Sequence, residues 1–330
     1  MSFNLGNDFA VGGDISWLPQ IEALGFPYKN SSGELQDCLN TLKEFGMNSV
    51  RLRTWVHSND FAPTDSVVRY LNGYCSTRDT LKLAKRCQDM GFKVMINFHY
   101  SDAWCNPRIQ RKPALWERLS FDELVQALYD YTRNFFIVMK EGGVDVSWVQ
   151  IGNETDPGML LPEGSTDNFS RLTALYNAGY DAVKSVSPKT SVLIHLASGT
   201  NSNFVSNYFD NLRVNGCRYD MIGLSYYPYW GKVKNEDAIG KLEQTLHMLP
   251  QRFGKPTMVV EIGSEVSKEQ EMYDYIMSVL DVISRVPNQT CRGLMYWEPE
   301  GAMCVTRYNL CAWRNDGCPS QALRAFLEAK

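Results

Sequence analysis

The 330-residue chain lacks any long apolar run. Its longest uninterrupted stretch lies around Phe135 to Met139, far short of the roughly 20 residues that cross a bilayer, so no membrane-spanning segment is expected. Nor is there an excess of basic charge. With 33 Lys and Arg against 37 Asp and Glu, the net charge of -4 offers no surface to nucleic acid or an anionic membrane. The opening residues Met1-Ser2-Phe3-Asn4-Leu5 do not combine a charged segment with an apolar core, and so do not read as an export signal. Pro/Ser-rich linkers and low-complexity segments are missing too. A composition of 44% hydrophobic, 21% charged and 12% aromatic residues excludes disorder and supports a large core.

Metal-ligand patterns are also scarce. There are four histidines, and His99 and His195 fall in separate apolar runs with no H-x-H or H-E-x-x-H spacing. The nine cysteines include no close C-x-x-C pair: Cys304, Cys311 and Cys318 are seven apart, with Cys291 upstream. Ordinary thiols, or one disulfide in a C-terminal loop, are the expectation, with no metal and no cofactor. No glycine-rich phosphate loop follows the first strand-like run, which weakens a nucleotide-binding reading.

What the chain does have is a repeated alternation. Eight short β-branched or apolar runs start at Gly13, Ser49, Lys93, Trp148, Ser191, Met221, Thr257 and Gly293, at intervals of 30 to 55 residues. Each interval fits one strand, one crossover helix and their loops, which take at least about 30 residues. Helical periodicity between the runs, for example over Thr80 to Asp89 and Asp122 to Lys140, completes the pattern. Gly46, Gly91, Gly142 with Gly143, Gly216 and Gly254 precede strands where an αβ turn wants a positive φ. The pattern predicts an α/β fold, a single (β/α)8 TIM barrel spanning 1–330, with a doubly wound open sheet as the alternative.

In such a barrel chemistry gathers at the C-terminal strand ends. Arg51 and Arg53 close the second strand, His99, Ser101 and Asp102 follow the third, and Asn153 with Glu154 follow the fourth. His195 lies in the fifth, Tyr226 and Tyr227 end the sixth, Glu261 ends the seventh, and Trp297 with Glu298 end the eighth. Glu154 and Glu261 stand on opposite strands across the mouth, the arrangement that glycosidic bond cleavage requires of an acid pair. Arg51 and Arg53, two apart on one strand face, could hold one carboxylate ionised, or one of them could form a structural ion pair inside the barrel. His99 and His195 suit recognition of sugar hydroxyls, or are satisfied interior histidines. Trp55, Trp104, Tyr227, Tyr229, Trp230 and Trp297 follow or close strands where flat rings could stack on sugars; Trp17 and Trp148 read as core.

Seven segments then carry a resemblance: Gly12 to Gln20, Ser49 to Trp55, Phe98 to Trp104, Val149 to Glu154, Gly223 to Trp230, Gly254 to Glu261, and Tyr296 to Pro299. In this order they resemble the endo-β-1,4-galactanases of glycoside hydrolase family 53, over nearly the whole chain. The resemblance implies a retaining barrel hydrolase acting on β-1,4-galactan, the side chain of type I arabinogalactan and pectin. It further implies Glu154 as acid/base, Glu261 as nucleophile, and Asn153 as binder of the 2-hydroxyl. Arg53 or Arg51, His99, Tyr226 or Tyr227, and Trp297 would line the same subsite. Three features depart from the family pattern. Leu161 stands where relatives often carry Trp, Ile262-Gly263-Ser264 replaces Thr-Ala-Tyr after Glu261, and the segment after Trp297 is rich in cysteine rather than in calcium-binding carboxylates. A β-mannanase or cellulase, or a catalytically dead saccharide-binding protein, are the competing readings. A polymer substrate implies work outside the cell or at its surface, with an export signal removed, by a monomer.

Overall fold

The structure, a computed structural model, describes residues 3, 5–6, 8–57 and 74–329. Eight strands form the centre: β1 (Ala10–Asp14), β2 (Ser49–Thr54), β3 (Lys93–Phe98), β4 (Val146–Ile151), β5 (Ser191–Leu196), β6 (Met221–Tyr226), β7 (Thr257–Ile262) and β8 (Cys291–Trp297). Each pairs in parallel with its sequence neighbours, and β1 pairs with both β2 and β8, so the sheet closes on itself. Closure rules out the doubly wound alternative, which needs two free edges.

The crossovers are α1 (Cys38–Glu44), α2 (Thr77–Asp89), α3 (Phe121–Glu141), α4 (Phe169–Val186), α5 (Ser202–Val214), α6 (Asn235–Phe253) and α7 (Glu269–Ser284), and a 3-10 segment, Gln321–Ala329, follows β8. Their starts are written in the sequence. Ser76 and Asp79 form a reciprocal capping box on α2, Ser120 and Glu123 do the same on α3, and Asn168 and Asn201 cap α4 and α5. Leu124, Leu128, Phe135, Phe136 and Met139 recur along α3 at the spacing of one face and are buried.

Inside the barrel, the floor is apolar: Ala10, Met95, Leu193, Met221, Met258, Val260 and Met295 form their own cluster, with Trp148 packed against it. Further along β1 to β6 the same inward face turns polar, with Asp14, Arg51, Arg53, Asn97, Gln150, His195 and Ser225 all buried. The expected first strand at Gly13 begins three residues earlier, at Ala10. Gly12 lies inside it, where a Cβ would stand 2.0 Å from the Ser49 carbonyl oxygen. Here the glycine marks a close approach of two strand backbones.

β7 carries an extra residue. Leu224 and Ser225 of β6 pair with Val259 and Glu261, and Leu294 and Tyr296 of β8 pair with Val259 and Ile262. Both neighbours therefore register a bulge between Val259 and Ile262. Strict alternation from the inward-facing Met258 and Val260 would turn Glu261 outward; the bulge changes the phase and aims it at the barrel mouth.

Candidate active site

Arg51 is the hub of the mouth. Fully buried, it gives Nη1 to Asp14 Oδ2 at 2.8 Å, Nη2 to both Asn153 Oδ1 and Glu261 Oε1 at 2.8 Å, and Nε to Gln150. Asp14 shares its other oxygen with Ser16 and lies 3.8 Å from Arg53 Nη1. One aspartate thus braces two arginines. Their identical spacing on β2 conceals different roles. Arg53 ion-pairs with Glu298 and sits over the rings of Trp17, Trp55 and Trp104 at 5.2 to 5.8 Å, away from the two glutamates. Of the two, Arg51 reaches the carboxylate pair, and Arg53 forms the structural ion pair.

Glu154 follows β4 in a tight turn. Gly152 has a φ of 88° and Glu154 one of 48°, a left-handed conformation that a non-glycine residue adopts only under constraint. The constraint is visible. Gln110 Nε2 donates to the carbonyls of Asn153 and Glu154 at 2.7 and 3.0 Å, and Thr155 N donates to the His195 carbonyl at 2.9 Å. Asn153 is fixed as well, accepting from Arg51 and from Asn97 Nδ2 at 2.9 Å while donating to the Cys105 carbonyl at 2.8 Å. Ser225 Oγ donates to Glu154 Oε1 at 2.8 Å.

The electrostatics separate the two carboxyls. Burial, then the charge of Glu261, push the Glu154 carboxyl well above its ordinary value of 4.5, and the Ser225 hydrogen bond only partly opposes them. Burial raises Glu261 too, but Arg51 beside it and the Tyr227 hydroxyl, which donates to Oε2 at 3.2 Å, favour its ionised form. The shared proton therefore belongs to Glu154.

A carboxylate oxygen of Glu154, one of Glu261 and a ring nitrogen of His195 lie within 4.8 Å of one another. That is close enough to consider a metal centre, but the donors do not fit one. Glu154 N donates to His195 Nδ1 at 3.3 Å, and Nε2 faces Ser225 Oγ at 2.8 Å, so neither ring nitrogen has a free lone pair. Burial and Arg51 push the His195 pKa well below 6.5 and keep the ring neutral. His99 is neutral for the same reasons, burial first and then Arg53 and Arg51, with Nδ1 accepting from Cys105 N at 2.8 Å.

The remaining expected residues divide. Tyr227 joins the glutamates, but Tyr226 does not: fully buried on the outer face of β6, it stacks on Tyr275 of α7 and donates to Asn235 at 2.7 Å. It has to be removed from the site, because side chains alternate along β6 and Ser225 holds the inward position. Trp297 and Trp104 are partly buried around Trp17, with centroids at 5.3 and 6.3 Å. Asp102 accepts from Ala114 N at 2.8 Å and so fastens its own loop. Trp230 is 60% exposed on the short helix Pro228–Gly231, its ring against Tyr229. Trp55 is buried against the Trp104 indole and presents no open face. The nine cysteines are unpaired thiols, and the Cys105 backbone carbonyl accepts from Asn153. Asp14, Asn97, Gln110, Gln150 and Ser225 were not anticipated from sequence. All but Gln110 lie in strands on the inward parity of Arg51 and His195, a signal that alternation could have supplied.

The model of the family described as glycosyl hydrolase family 53 matches residues 10–326. An endo-beta-1,4-galactanase of Bacillus subtilis (strain 168) is 32% identical over 89% of this chain and 71% of its own length. A probable arabinogalactan endo-beta-1,4-galactanase A of Neosartorya fischeri is 30% identical over 92% of this chain and 89% of its own. Among solved structures, one described as the Ignisphaera aggregans GH53 catalytic domain superposes with a TM-score of 0.88 at 29% identity, covering 98% of this chain and 96% of that one.

Proposed function

The chain belongs to glycosyl hydrolase family 53, and from that premise we propose that it is an endo-acting β-1,4-galactanase that cleaves galactan with retention of configuration, using Glu154 and Glu261 in a double displacement. One observation carries the mechanism: carboxylate oxygens of the two glutamates approach within 4.8 Å. Retaining glycosidases hold their carboxyls about 5 to 5.5 Å apart, and inverting enzymes need about 6.5 to 9.5 Å to admit a water.

Glu261, ionised beside Arg51 and Tyr227, attacks the anomeric carbon while Glu154 gives its proton to the departing glycosidic oxygen. A galactosyl ester on Glu261 results. Glu154, now a carboxylate, takes a proton from water as that water attacks the same carbon, releasing the sugar and restoring both groups. Asn153, whose amide is locked by Arg51, Asn97 and Cys105, keeps a second Nδ2 hydrogen for the sugar 2-hydroxyl. Trp297, Trp104 and the outlying Trp230 supply faces for neighbouring galactose units, and the residues of 1–330 act as a single catalytic barrel. A neutral polymer explains why a net charge of -4 needs no steering patch. The same polymer places the enzyme outside the cell or at its surface. Among the described residues no helix is long and apolar enough to cross a membrane.

The test is stereochemical. Proton NMR of galactan digestion should show the β-anomer of the new reducing end first, with the α-anomer growing in only at the rate of mutarotation. Immediate appearance of the α-anomer would refute double displacement.

A further inference from the structure

We propose that Ser225, backed by a neutral His195, decides which oxygen of Glu154 carries the catalytic proton. Ser225 is then a positioning residue for the acid, and the proposal rests on the assignment of Glu154 as acid/base.

Hydrogen-bond direction makes the case. The backbone N–H of Glu154 points at His195 Nδ1 from 3.3 Å, so Nδ1 must offer its lone pair. A neutral imidazole then has its proton on Nε2, which lies 2.8 Å from Ser225 Oγ and donates to it. The single Ser225 proton is left to point at Glu154 Oε1, also 2.8 Å away. Each link has one permitted direction. Oε1 is held as an acceptor, and the proton of Glu154 is confined to Oε2. A protonated His195 would set two donors face to face at Nδ1, so the geometry itself demands the neutral ring. Both partners of Glu154 are held in place: His195 and Ser225 are buried, and the His195 carbonyl is tied back to Thr155 N and Oγ1 at 2.9 and 3.1 Å. Thr155 is itself gripped by Tyr176 and Tyr208 at 2.6 and 2.9 Å.

The charged and titratable groups around Glu154 are Glu261 on β7, Arg51 on β2, Asp156 in its own loop, His195 on β5 and Tyr227 after β6. Among the described residues, none of these competes for Oε1 with a hydrogen bond. Loss of the Ser225 donor removes a bond to the ionised carboxylate, so the variant acid should be weaker still.

Ser225→Ala, His195→Ala and His195→Gln are compared with the intact enzyme on linear galactan and on a dinitrophenyl β-galactobioside, whose leaving group departs without a proton. For Ser225→Ala, kcat on galactan should fall about tenfold with KM within about twofold. The alkaline limb of its kcat/KM profile should move to higher pH, while kcat/KM on the dinitrophenyl substrate stays within about twofold. His195→Ala should shift the same limb, and His195→Gln should restore it, because its Nε2–H can donate to Ser225. These two variants carry the test if Ser225→Ala does not fold. Equal losses on both substrates, or an unmoved limb, would overturn the proposal. Glu154→Ala is measured alongside: collapse on galactan there with an unaffected Ser225→Ala sinks only the positioning role, whereas retained galactan turnover by Glu154→Ala sinks the acid/base assignment itself.

Discussion

The ends of β4 and β7 present the same side chain, within 4.8 Å, in opposite surroundings. Glu154 meets uncharged partners, a serine hydroxyl and, through it, a neutral imidazole. Glu261 meets a guanidinium and a phenol. The backbone routes differ as well, a left-handed turn for Glu154 and a bulge for Glu261. In the proposed mechanism two identical carboxylic acids thereby become an acid and a nucleophile with no difference in their own chemistry. The lesson is that role is assigned by what donates to each carboxylate, and by whether that donor is charged.

The contrast can be broken most completely at its charged side. Glu261→Gln keeps the shape but not the nucleophile, and galactan turnover should drop by about 10⁴-fold or more in a reducing-sugar assay. Next comes Arg51→Met, which strips Glu261 of its counter-ion and leaves Asp14 buried with only the more distant Arg53. Denaturant titration should show a loss of about 3 to 5 kcal/mol, along with inactivity. Lys is no substitute, since an ammonium cannot serve Asp14, Gln150, Asn153 and Glu261 at once. Tyr227→Phe is gentler. It removes one donor to the ionised Glu261, so the acid limb of the kcat/KM profile should move to higher pH, with a several-fold drop at the optimum.

The smallest effect sharpens the uncharged side. The folded Glu154 carboxyl is raised above its unfolded value near 4.5, so the stability it lends is fully present below that value and lost as pH rises through the folded one. Glu154→Gln never ionises. Its thermal midpoint should exceed that of the natural chain at pH 7, and the gap should close below about pH 4; an equal gap at both values would count against a raised carboxyl.

Strand order and strand ends were legible in the sequence because each apolar run sits between helical stretches long enough for a crossover. The glutamates stood out because each ends such a run. Three things were hidden for physical reasons. The first strand reaches back past Gly13 to Ala10, and only the Ser49 backbone against Gly12 shows why a glycine stands there. The bulge in β7 leaves no compositional mark, yet without it Glu261 would face the helices. The choice between Arg51 and Arg53 depends on Glu298 and Asp14, residues far apart in the chain, so spacing alone could not assign them. Tyr226 and Tyr227 were separable in principle, since an inward Ser225 leaves the next residue pointing out.

The pairing of Arg53 with Glu298 joins residues 245 positions apart, across a seam where the first strand meets the last. During synthesis Arg51 and Asp14, which pair with each other, emerge early, whereas Arg53 waits for its close partner Glu298 until β8 has been made. A barrel short of its final strand leaves that charge cluster open to water and Trp17 without its partner Trp297. The Arg53–Glu298 pair is thus a direct mark of the closed ring, because it forms only where the last strand has met the first.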